Sequence, residues 1–137
     1  MVIQRYSDEL REQLINLWIA AELVVPQNNP ERDIQAKLDH SPNLLLVALD
    51  DNKLIGSIML GYEGHRGWLN YLAVDPGHRG EGLGSRLVEA AIEQLTGLGC
   101  QKVNLQVRTG NAAAIKFYEN LGFSYDNVVS LGLRIDN

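Results

Sequence analysis

The chain has little cysteine, no long apolar run and no basic, apolar leader. Its single cysteine, Cys100, has no partner for an internal disulfide and cannot build a cysteine-based zinc site. The longest uninterrupted apolar run, residues 44–49, is far shorter than the roughly 18–20 residues that a membrane-spanning helix needs. The first residues contain no apolar stretch after a basic patch, so no secretory signal is predicted. We therefore expect a soluble, cytoplasmic protein with no bound metal and no membrane association.

Positive charge is also scarce. The chain has 12 lysines and arginines against 17 aspartates and glutamates, a net charge of −5. Binding to nucleic acid needs a cationic face, so DNA and RNA are not expected as partners. Only residues 79–116 carry excess positive charge, with five basic and three acidic side chains. The first 78 residues are acidic, with 6 basic and 11 acidic side chains.

The length and composition are those of one globular domain. A chain of 137 residues with 45% hydrophobic and 21% charged residues can bury a core without disulfides or metals. No repeat, low-complexity tract or linker divides it, so we predict a single domain over residues 1–137. Trp18 and Trp68 could line a substrate pocket, but core positions explain both more simply and are the prediction.

Hydrophobic periodicity predicts elements in the order α-α-β-β-β-α-β-α-β. Ser7 is placed to cap the first helix, and Asn29 followed by Pro30 to begin the second. Strands are predicted at residues 44–50, 54–62, 68–74, 102–107 and 127–133. The later helices are predicted from about 84 to 97 or 99 and at 111–121. Short turns make the first three strands antiparallel, and a helical crossover makes one parallel pair. The expected fold is α/β, a central mixed sheet flanked by about four helices.

The stretch that says most about function is residues 75–85, DPGHRGEGLGS, where four glycines fall within eight residues. Glycine permits positive φ, so successive main-chain N–H groups can turn toward one point at the start of a helix. Such a loop suits a phosphate or pyrophosphate. No Gly-Lys-Ser/Thr triplet of a P-loop occurs, and Ser85 replaces the third glycine of a dinucleotide fingerprint. Both nucleotide interpretations are therefore weak.

Two motifs resemble those of one enzyme superfamily. Arg79-x-x-Gly82-x-Gly84 resembles motif A of the GNAT (Gcn5-related N-acetyltransferase) superfamily, and the segment from Asn111 to Phe123, NAAAIKFYENLGF, resembles a second family motif. The resemblance covers about residues 68–123; the segments at 29–34 and 61–67 also look like a small bacterial subgroup, the YpeA-type acetyltransferases. It implies a GNAT-like fold with splayed parallel strands. It also implies an N-acetyltransferase that moves an acetyl group from acetyl-CoA directly to an amine of a small molecule or peptide.

The resemblance further implies which residues hold acetyl-CoA. Asn111 would contact the pantetheine arm, and Arg79 would stand at the entry of the pyrophosphate loop. The backbone that pairs with the arm would be that of Leu72, Ala73 and Val74, and the loop itself would be Gly80, Glu81, Gly82, Leu83, Gly84 and Ser85. Glu81 departs from the family pattern, because an acid there weakens phosphate binding unless its side chain points outward.

For catalysis, the resemblance implies that Tyr118 protonates the departing CoA thiolate. A phenol with a pKa near 10 is suited to a thiol of slightly lower pKa; the alternative is that Tyr118 only packs with Phe117 and Phe123. Glu63 is the predicted general base by its chemistry, and His65, Tyr71 or a water relay are the alternatives. These four possibilities stay open at this point.

Other functions also stay open. A binding module would hold acyl-CoA as a sensor or partner subunit without turnover, and a redox enzyme would bind NADPH at the same loop. The sequence does not identify the acceptor: polyamines, amino acids, aminoglycosides, peptide N-termini and lysine side chains all remain possible acceptors. A homodimer is compatible with the resemblance.

Overall fold

A computed structural model describes residues 1–136 and contains a five-stranded mixed sheet and four α-helices. The strands are β1 Val2–Arg5, β2 Leu45–Asp50, β3 Lys53–Tyr62, β4 Gly67–Val74 and β5 Val103–Asn104. The helices are α1 Arg11–Ala20, α2 Pro30–His40, α3 Leu83–Gly97 and α4 Ala112–Asn120, and short 3₁₀ helices lie at Asp8–Leu10 and Pro76–His78. The chain divides into two compact units after Leu105: the first holds the sheet with α1 to α3, and the second holds α4.

The sheet of the first unit has the predicted mixed topology. Its strands follow chain order, β1 to β4 pair antiparallel, and β5 pairs parallel with β4 after the α3 crossover. The β2–β3 turn places Asp51 and Asn52 at φ of 48° and 66°, the left-handed values that a tight two-residue hairpin needs. The mixed sheet with one parallel crossover is thus confirmed.

Helices cover both faces of this sheet. Ser57 of β3 bonds to Trp18 of α1, whereas the neighbouring Gly56 meets the α3 side chains Leu83 and Leu87. Because successive strand residues point to opposite faces, α1 and α3 lie on opposite sides of the sheet. One buried cluster joins α1 and α2 to the sheet: Tyr6, Leu10, Leu14, Leu17, Trp18, Ile34, Leu45, Val47, Leu54 and Ala73. Within residues 1–136, no helix is long and apolar enough to cross a membrane.

Several local expectations were wrong. β1 was not predicted, because a strand of four residues is too short to show a hydrophobic period. Ser7 does not cap the first helix: its hydroxyl bonds to Glu9, and a 3₁₀ turn precedes α1. Only Val103–Asn104 forms from the strand predicted at 102–107, and residues 127–133 form no strand; Leu131, for example, is 91% exposed. An isolated run of β-forming residues without a hydrogen-bonded neighbour has nothing to hold it as a strand.

The start of α2 follows the sequence closely. Asn29 has extended backbone angles, its side chain accepts a hydrogen bond from the Arg32 N–H at 3.2 Å, and Pro30 occupies the first helical position. This arrangement satisfies one of the free amides of the first turn and needs no N–H from proline. The predicted cap is confirmed.

Candidate functional site

The loop between β4 and α3 is held by Asp75. Its Oδ2 accepts a hydrogen bond from the Gly77 N–H at 3.1 Å and lies 3.0 Å from His78 Nδ1. The Asp75 N–H in turn donates to the Ile55 carbonyl oxygen at 2.8 Å, which ties the loop to β3. The hydrogen bond with His78 lowers the pKa of Asp75 below its ordinary value, so this anchor is a charged acceptor at neutral pH.

Beyond this anchor, the main-chain amides of residues 80–85 form a group that we call the amide nest. Gly80 and Gly82 have left-handed φ values of 80° and 79°, and α3 begins at Leu83, one residue before the predicted start. Among residues 1–136, no protein group accepts a hydrogen bond from these amides; the first bond into the helix is from the Arg86 N–H to the Gly82 oxygen at 3.2 Å. Free amides at the positive end of a helix suit an anion.

The side chains around the amide nest are consistent with anion binding, with one exception. Arg79 is exposed, and in the described part of the chain it pairs with no carboxylate. Glu81 is also exposed, between the two left-handed glycines. The carboxylate of Glu81, which departs from the pattern of the resembled family, is therefore reached by solvent.

The position of the amide nest depends on a close approach at Gly56 of β3. A Cβ on Gly56 would lie 2.9 Å from Leu87 Cδ1 and 3.3 Å from the Ala73 carbonyl oxygen. Leu83 and Leu87 are both buried. The absence of a side chain thus lets the first turns of α3 lie directly on the sheet, beside the end of β4, because Gly56 pairs with Val74.

β4 has an unpaired edge over most of its length. On one side it pairs with β3 as far as Val74, whereas on the other side β5 pairs only with Gly67 and Trp68. Within the first unit, no strand pairs with the second edge of residues 69–74, which we call the free edge. Outward N–H and C=O groups on such an edge can bind an extended, amide-bearing ligand as an added strand would. The free edge includes the predicted residues Leu72, Ala73 and Val74.

A β-bulge interrupts β4 at Tyr71. Ser57 pairs with Ala73 and Met59 pairs with Asn70, so that Ile58 faces two residues, Tyr71 and Leu72. Tyr71 has a φ of 50°, which is uncommon for a residue with a side chain. A bulge bends its strand and changes the direction of the backbone groups that follow it, here those of the free edge.

Four residues, which we call the Tyr71 network, meet at this bulge. The rings of Trp18 and Tyr71 stack with centroids 3.8 Å apart and planes 10° apart, and the Tyr71 hydroxyl donates to Asp33 Oδ2 at 2.5 Å. Trp18 Nε1 donates to Ser57 Oγ at 3.0 Å, and Ser57 Oγ donates to the Tyr71 carbonyl oxygen at 3.0 Å. Burial and then the hydrogen bond to Asp33 raise the pKa of Tyr71 well above its ordinary value, so at neutral pH its phenol is a donor.

An open groove of about 610 Å³ lies at the end of the β3–β4 hairpin. We call it the hairpin groove; its lining residues are His40, Gly61, Tyr62, Glu63, Trp68 and Asn70. Trp68 is 37% exposed, so its predicted place in the core was wrong, whereas Trp18 is fully buried as predicted. Trp68 pairs with Gly61 and Asn70 pairs with Met59. Residues 57, 59 and 61 of β3 share one face of the sheet, so the side chains of Trp68 and Asn70 project on the face of Ser57, which α1 and α2 cover.

Glu63 and His65 lie together at the turn of this hairpin. Glu63 Oε1 accepts a hydrogen bond from the Arg66 N–H at 2.8 Å and lies 3.7 Å from His65 Nδ1, and both side chains are exposed. Four residues of extended strand, about 13 Å, separate Arg66 from Asn70. The structure therefore brings two of the predicted base candidates together and places the third, Tyr71, in its own network.

In the second unit, Tyr118 and Asn111 lie on α4. Tyr118 makes edge contacts with Phe117 and Phe123, whose ring centroids are 4.9 Å and 5.5 Å away, and burial raises its pKa to about 12. Asn111 Oδ1 caps α4 by accepting a hydrogen bond from the Ala114 N–H at 3.1 Å. Gly122, with a φ of 99°, follows the end of the helix in the left-handed conformation that glycine commonly adopts there. No group of three or more potential metal ligands occurs in residues 1–136.

Sequence reasoning missed the Tyr71 network. One signal was available: Ser57 is a polar residue inside the apolar strand 54–62, and a buried hydroxyl has to find a partner. Its partners lie 39 and 14 residues away, and no sequence pattern indicates that distance.

Comparison with known proteins gives a consistent result. Residues 8–123 match the sequence model described as the acetyltransferase (GNAT) family. An acetyltransferase of Sodalis glossinidius (strain morsitans) is 43% identical over 136 residues, which is 98% of this chain and 96% of that protein.

Two solved structures have the same fold. The ribosomal-protein-S18-alanine N-acetyltransferase of Escherichia coli aligns with a TM-score of 0.77 at 25% identity, over 90% of this chain and 77% of that chain. The enzyme AAC(6′)-Iy, solved in complex with the bisubstrate analogue CoA-S-monomethyl-acetylneamine, aligns with a TM-score of 0.79 at 19% identity, over 97% of each chain. At 19% identity the second likeness concerns the fold alone.

Proposed function

The chain belongs to the GNAT acetyltransferase family and is an N-acetyltransferase, and from that premise we propose that it transfers the acetyl group of acetyl-CoA directly to the amine of a small molecule or peptide. One observation carries the proposal: the free edge of β4 is followed along the chain by the amide nest, with only the short 3₁₀ helix Pro76–His78 between them. An amide-bearing arm joined to a pyrophosphate has the two chemistries that this arrangement can bind, in the same order.

The residues of the first unit fit such a donor. The amide nest and Arg79 would hold the pyrophosphate, since free N–H groups, a helix N-terminus and an unpaired guanidinium all favour anions. The backbone of Leu72, Ala73 and Val74 would pair with the pantetheine amides. When bound, acetyl-CoA supplies a thioester whose carbonyl carbon an amine nitrogen can attack. AAC(6′)-Iy, a protein of the same fold, was solved with a CoA-containing bisubstrate analogue.

We propose Tyr118 as the group that assists departure of the sulfur, with Asn111 as a polar contact to the arm. As the new C–N bond forms and the C–S bond breaks, negative charge develops on sulfur, and a phenolic O–H can donate a hydrogen bond to it. A pKa near 12 keeps this phenol protonated at every physiological pH. It also makes Tyr118 a weaker acid than a thiol of pKa about 8.5, so hydrogen bonding is the larger part of its role and full proton transfer the smaller.

The acceptor amine is proposed to bind in the hairpin groove. The groove offers an exposed indole, the Asn70 amide and the Glu63 carboxylate, a combination suited to an amine. A lysine-type ammonium has a pKa near 10.4, whereas an α-amino group has a pKa near 8. At neutral pH the lysine-type amine is harder to deprotonate, so a general base helps it far more than it helps an α-amino group. Glu63 is proposed as that base; since about 13 Å of strand separates its turn from Asn70, the proton would reach it through water.

The test is release of CoA thiol from acetyl-CoA in the presence of a polyamine, free amino acids, an aminoglycoside and a peptide with a free N-terminus. We expect turnover with at least one class and saturable binding of acetyl-CoA by calorimetry. Saturable binding with no turnover for any amine would favour the acyl-CoA sensor. Failure to bind acetyl-CoA would contradict the proposal. The single domain, the cytoplasmic location and a homodimer stay predictions.

A further inference from the structure

Tyr71 holds a conformation that its own chemistry disfavours. A φ of 50° places its Cβ close to the following carbonyl group, and residues with side chains persist there only when their surroundings fix them. The bulge also lies within the free edge, one residue before Leu72. The contacts that hold Tyr71 therefore also constrain the backbone that leads into Leu72, Ala73 and Val74.

Contacts from three different elements fix Tyr71. Its ring is held by stacking on Trp18 of α1, its hydroxyl by Asp33 of α2, and its carbonyl oxygen by the hydroxyl of Ser57 of β3. Trp18 and Ser57 are fully buried and bond to each other. Both ends of the residue, side chain and main chain, are therefore constrained at once.

The constraint determines which backbone groups face the free edge. Along a strand, successive residues direct their N–H and C=O groups to opposite edges, so one extra residue exchanges the groups that face outward beyond it. With the bulge at Tyr71, one alternate set of N–H and C=O groups in the segment from Leu72 to Val74 faces the free edge. Without the bulge, those groups would face β3 and the groups of the alternate residues would face the free edge. An arm that pairs with this edge would lose its register if the bulge relaxed.

We propose that Trp18, Ser57 and Asp33 are positioning residues that hold Tyr71 left-handed and so set the hydrogen-bonding register of the free edge for the pantetheine arm of the donor. This inference rests on the proposed function, because it takes the free edge as the site of the arm. It assigns no proton transfer to the network.

The experiment separates the arm from the nucleotide. Ser57→Ala removes the hydroxyl that joins Trp18 to the Tyr71 carbonyl, and Trp18→Phe keeps the stacked ring but removes the N–H donor. Affinity for acetyl-CoA and for adenosine 3′-phosphate 5′-diphosphate, which has the pyrophosphate but no arm, is measured by calorimetry on the full chain. For both variants we expect acetyl-CoA affinity to fall about tenfold and the affinity for the arm-free nucleotide to stay within about twofold.

A matched control tests for simple loss of stability. Leu45→Val removes one methylene from the same buried cluster, one strand away, and touches none of the network hydrogen bonds. It should leave both affinities unchanged. If Ser57→Ala does not fold, Trp18→Phe and the conservative Ser57→Thr, which retains the hydroxyl and should retain acetyl-CoA affinity, still decide the question.

Two results in Ser57→Ala and Trp18→Phe would overturn the positioning role. One is an equal loss of affinity for acetyl-CoA and for the arm-free nucleotide, and the other is no loss of affinity for either ligand. Failure of the proposed function looks different, because then the unaltered protein itself would not bind acetyl-CoA. A double-mutant cycle adds a further check, since Ser57→Ala combined with Trp18→Phe should cost no more than either change alone if the two residues act through one carbonyl group.

Discussion

The Tyr71 hydroxyl donates a hydrogen bond to Asp33 Oδ2 at 2.5 Å, which links β4 to the first turn of α2 across 38 residues of sequence. A phenol that donates to a carboxylate and has a pKa well above its ordinary value is a poor candidate for a base at neutral pH. The bond instead holds the side chain of the bulged residue. Tyr71 thus has a structural partner of its own, whereas the other base candidates, Glu63 and His65, lie at the hairpin turn.

Tyr71→Phe should therefore leave the acidic limb of the pH dependence of kcat/KM unchanged. The change removes the bond to Asp33 and keeps the ring on Trp18, so we expect kcat/KM to fall by about tenfold at every pH. The measurement is a pH–rate profile of the variant beside the unaltered enzyme. Disappearance of the acidic limb in the variant would instead identify Tyr71 as the base.

Glu63→Gln should have the opposite effect on that profile. Glutamine retains the oxygen that accepts the Arg66 N–H, so the turn keeps its shape while the carboxylate is lost. If Glu63 is the base, kcat/KM falls by about 10²-fold or more and the acidic limb disappears. His65→Gln, at the same turn, is the comparison: a larger effect there would transfer the role to the imidazole.

Gly82→Ala should damage the donor site specifically. Alanine at a φ of 79° costs about 1–2 kcal/mol, although nothing lies within 4 Å of the new Cβ. Relief of that strain would turn the neighbouring amides away from a common point, so we expect acetyl-CoA affinity to fall about tenfold or more by calorimetry.

Gly97→Ala is its matched control. Gly97 lies in the last turn of the same helix with no positive φ and open space around its Cβ position, and alanine there should raise stability by about 0.5–1 kcal/mol. Its acetyl-CoA affinity should not change. Equal affinities in Gly82→Ala and Gly97→Ala would argue against the amide nest as the pyrophosphate site.

Tyr118→Phe tests the role in sulfur departure. Loss of the hydroxyl should lower kcat by about 10²-fold or more, with KM for acetyl-CoA within a few-fold, because the ring contacts with Phe117 and Phe123 remain. Tyr125→Phe, at an exposed position of the same unit, should have full activity. An unchanged kcat in Tyr118→Phe would leave Tyr118 a packing residue only.

The stability of the fold should fall above about pH 10. Burial, followed by the bond to Asp8, raises the pKa of Tyr6 to about 12, and burial raises that of Tyr118 to about 12. A phenol whose pKa is higher in the folded state than in the unfolded state stabilises the fold. This stabilisation is complete below the unfolded pKa of about 10 and is lost as the pH rises toward the pKa of the folded state. For Tyr6, which is buried, the loss is about 1 kcal/mol by pH 11.

Urea denaturation at pH 9 and pH 11 measures this effect. Tyr6→Phe should show a smaller drop between the two pH values than the unaltered protein. An identical drop in both would mean that Tyr6 titrates alike in the folded and unfolded states.

Sequence alone predicted the elements whose determinants are local. The β2–β3 and β3–β4 hairpins, the Asn29 cap, the crossover through α3 and the glycines of the amide nest depend on residues that are neighbours in the chain. The family motifs at residues 79–84 and 111–123 follow from the same local patterns, and the family is confirmed.

The errors concern partners that are distant in sequence. β1 is a strand because β2 lies beside it, and the paired residues are 41 to 47 positions apart in the chain. Residues 127–133 have the composition of a strand without forming one. Trp68 was predicted to lie in the core, yet it is partly exposed because it lines the open hairpin groove. The left-handed Tyr71 depends on Trp18, Ser57 and Asp33, which no pattern around residue 71 indicates.

The gap beside β4 has a consequence for solubility. A strand with bare amides is a template onto which a strand of another molecule can add, and that is how many proteins begin to aggregate. Here β5 pairs with Gly67 and Trp68, so within the first unit the unpaired stretch is limited to residues 69–74. That stretch is short and carries the bulge at Tyr71. Short and bulged edges are poor templates for a second sheet, so the geometry disfavours fibril growth at this position.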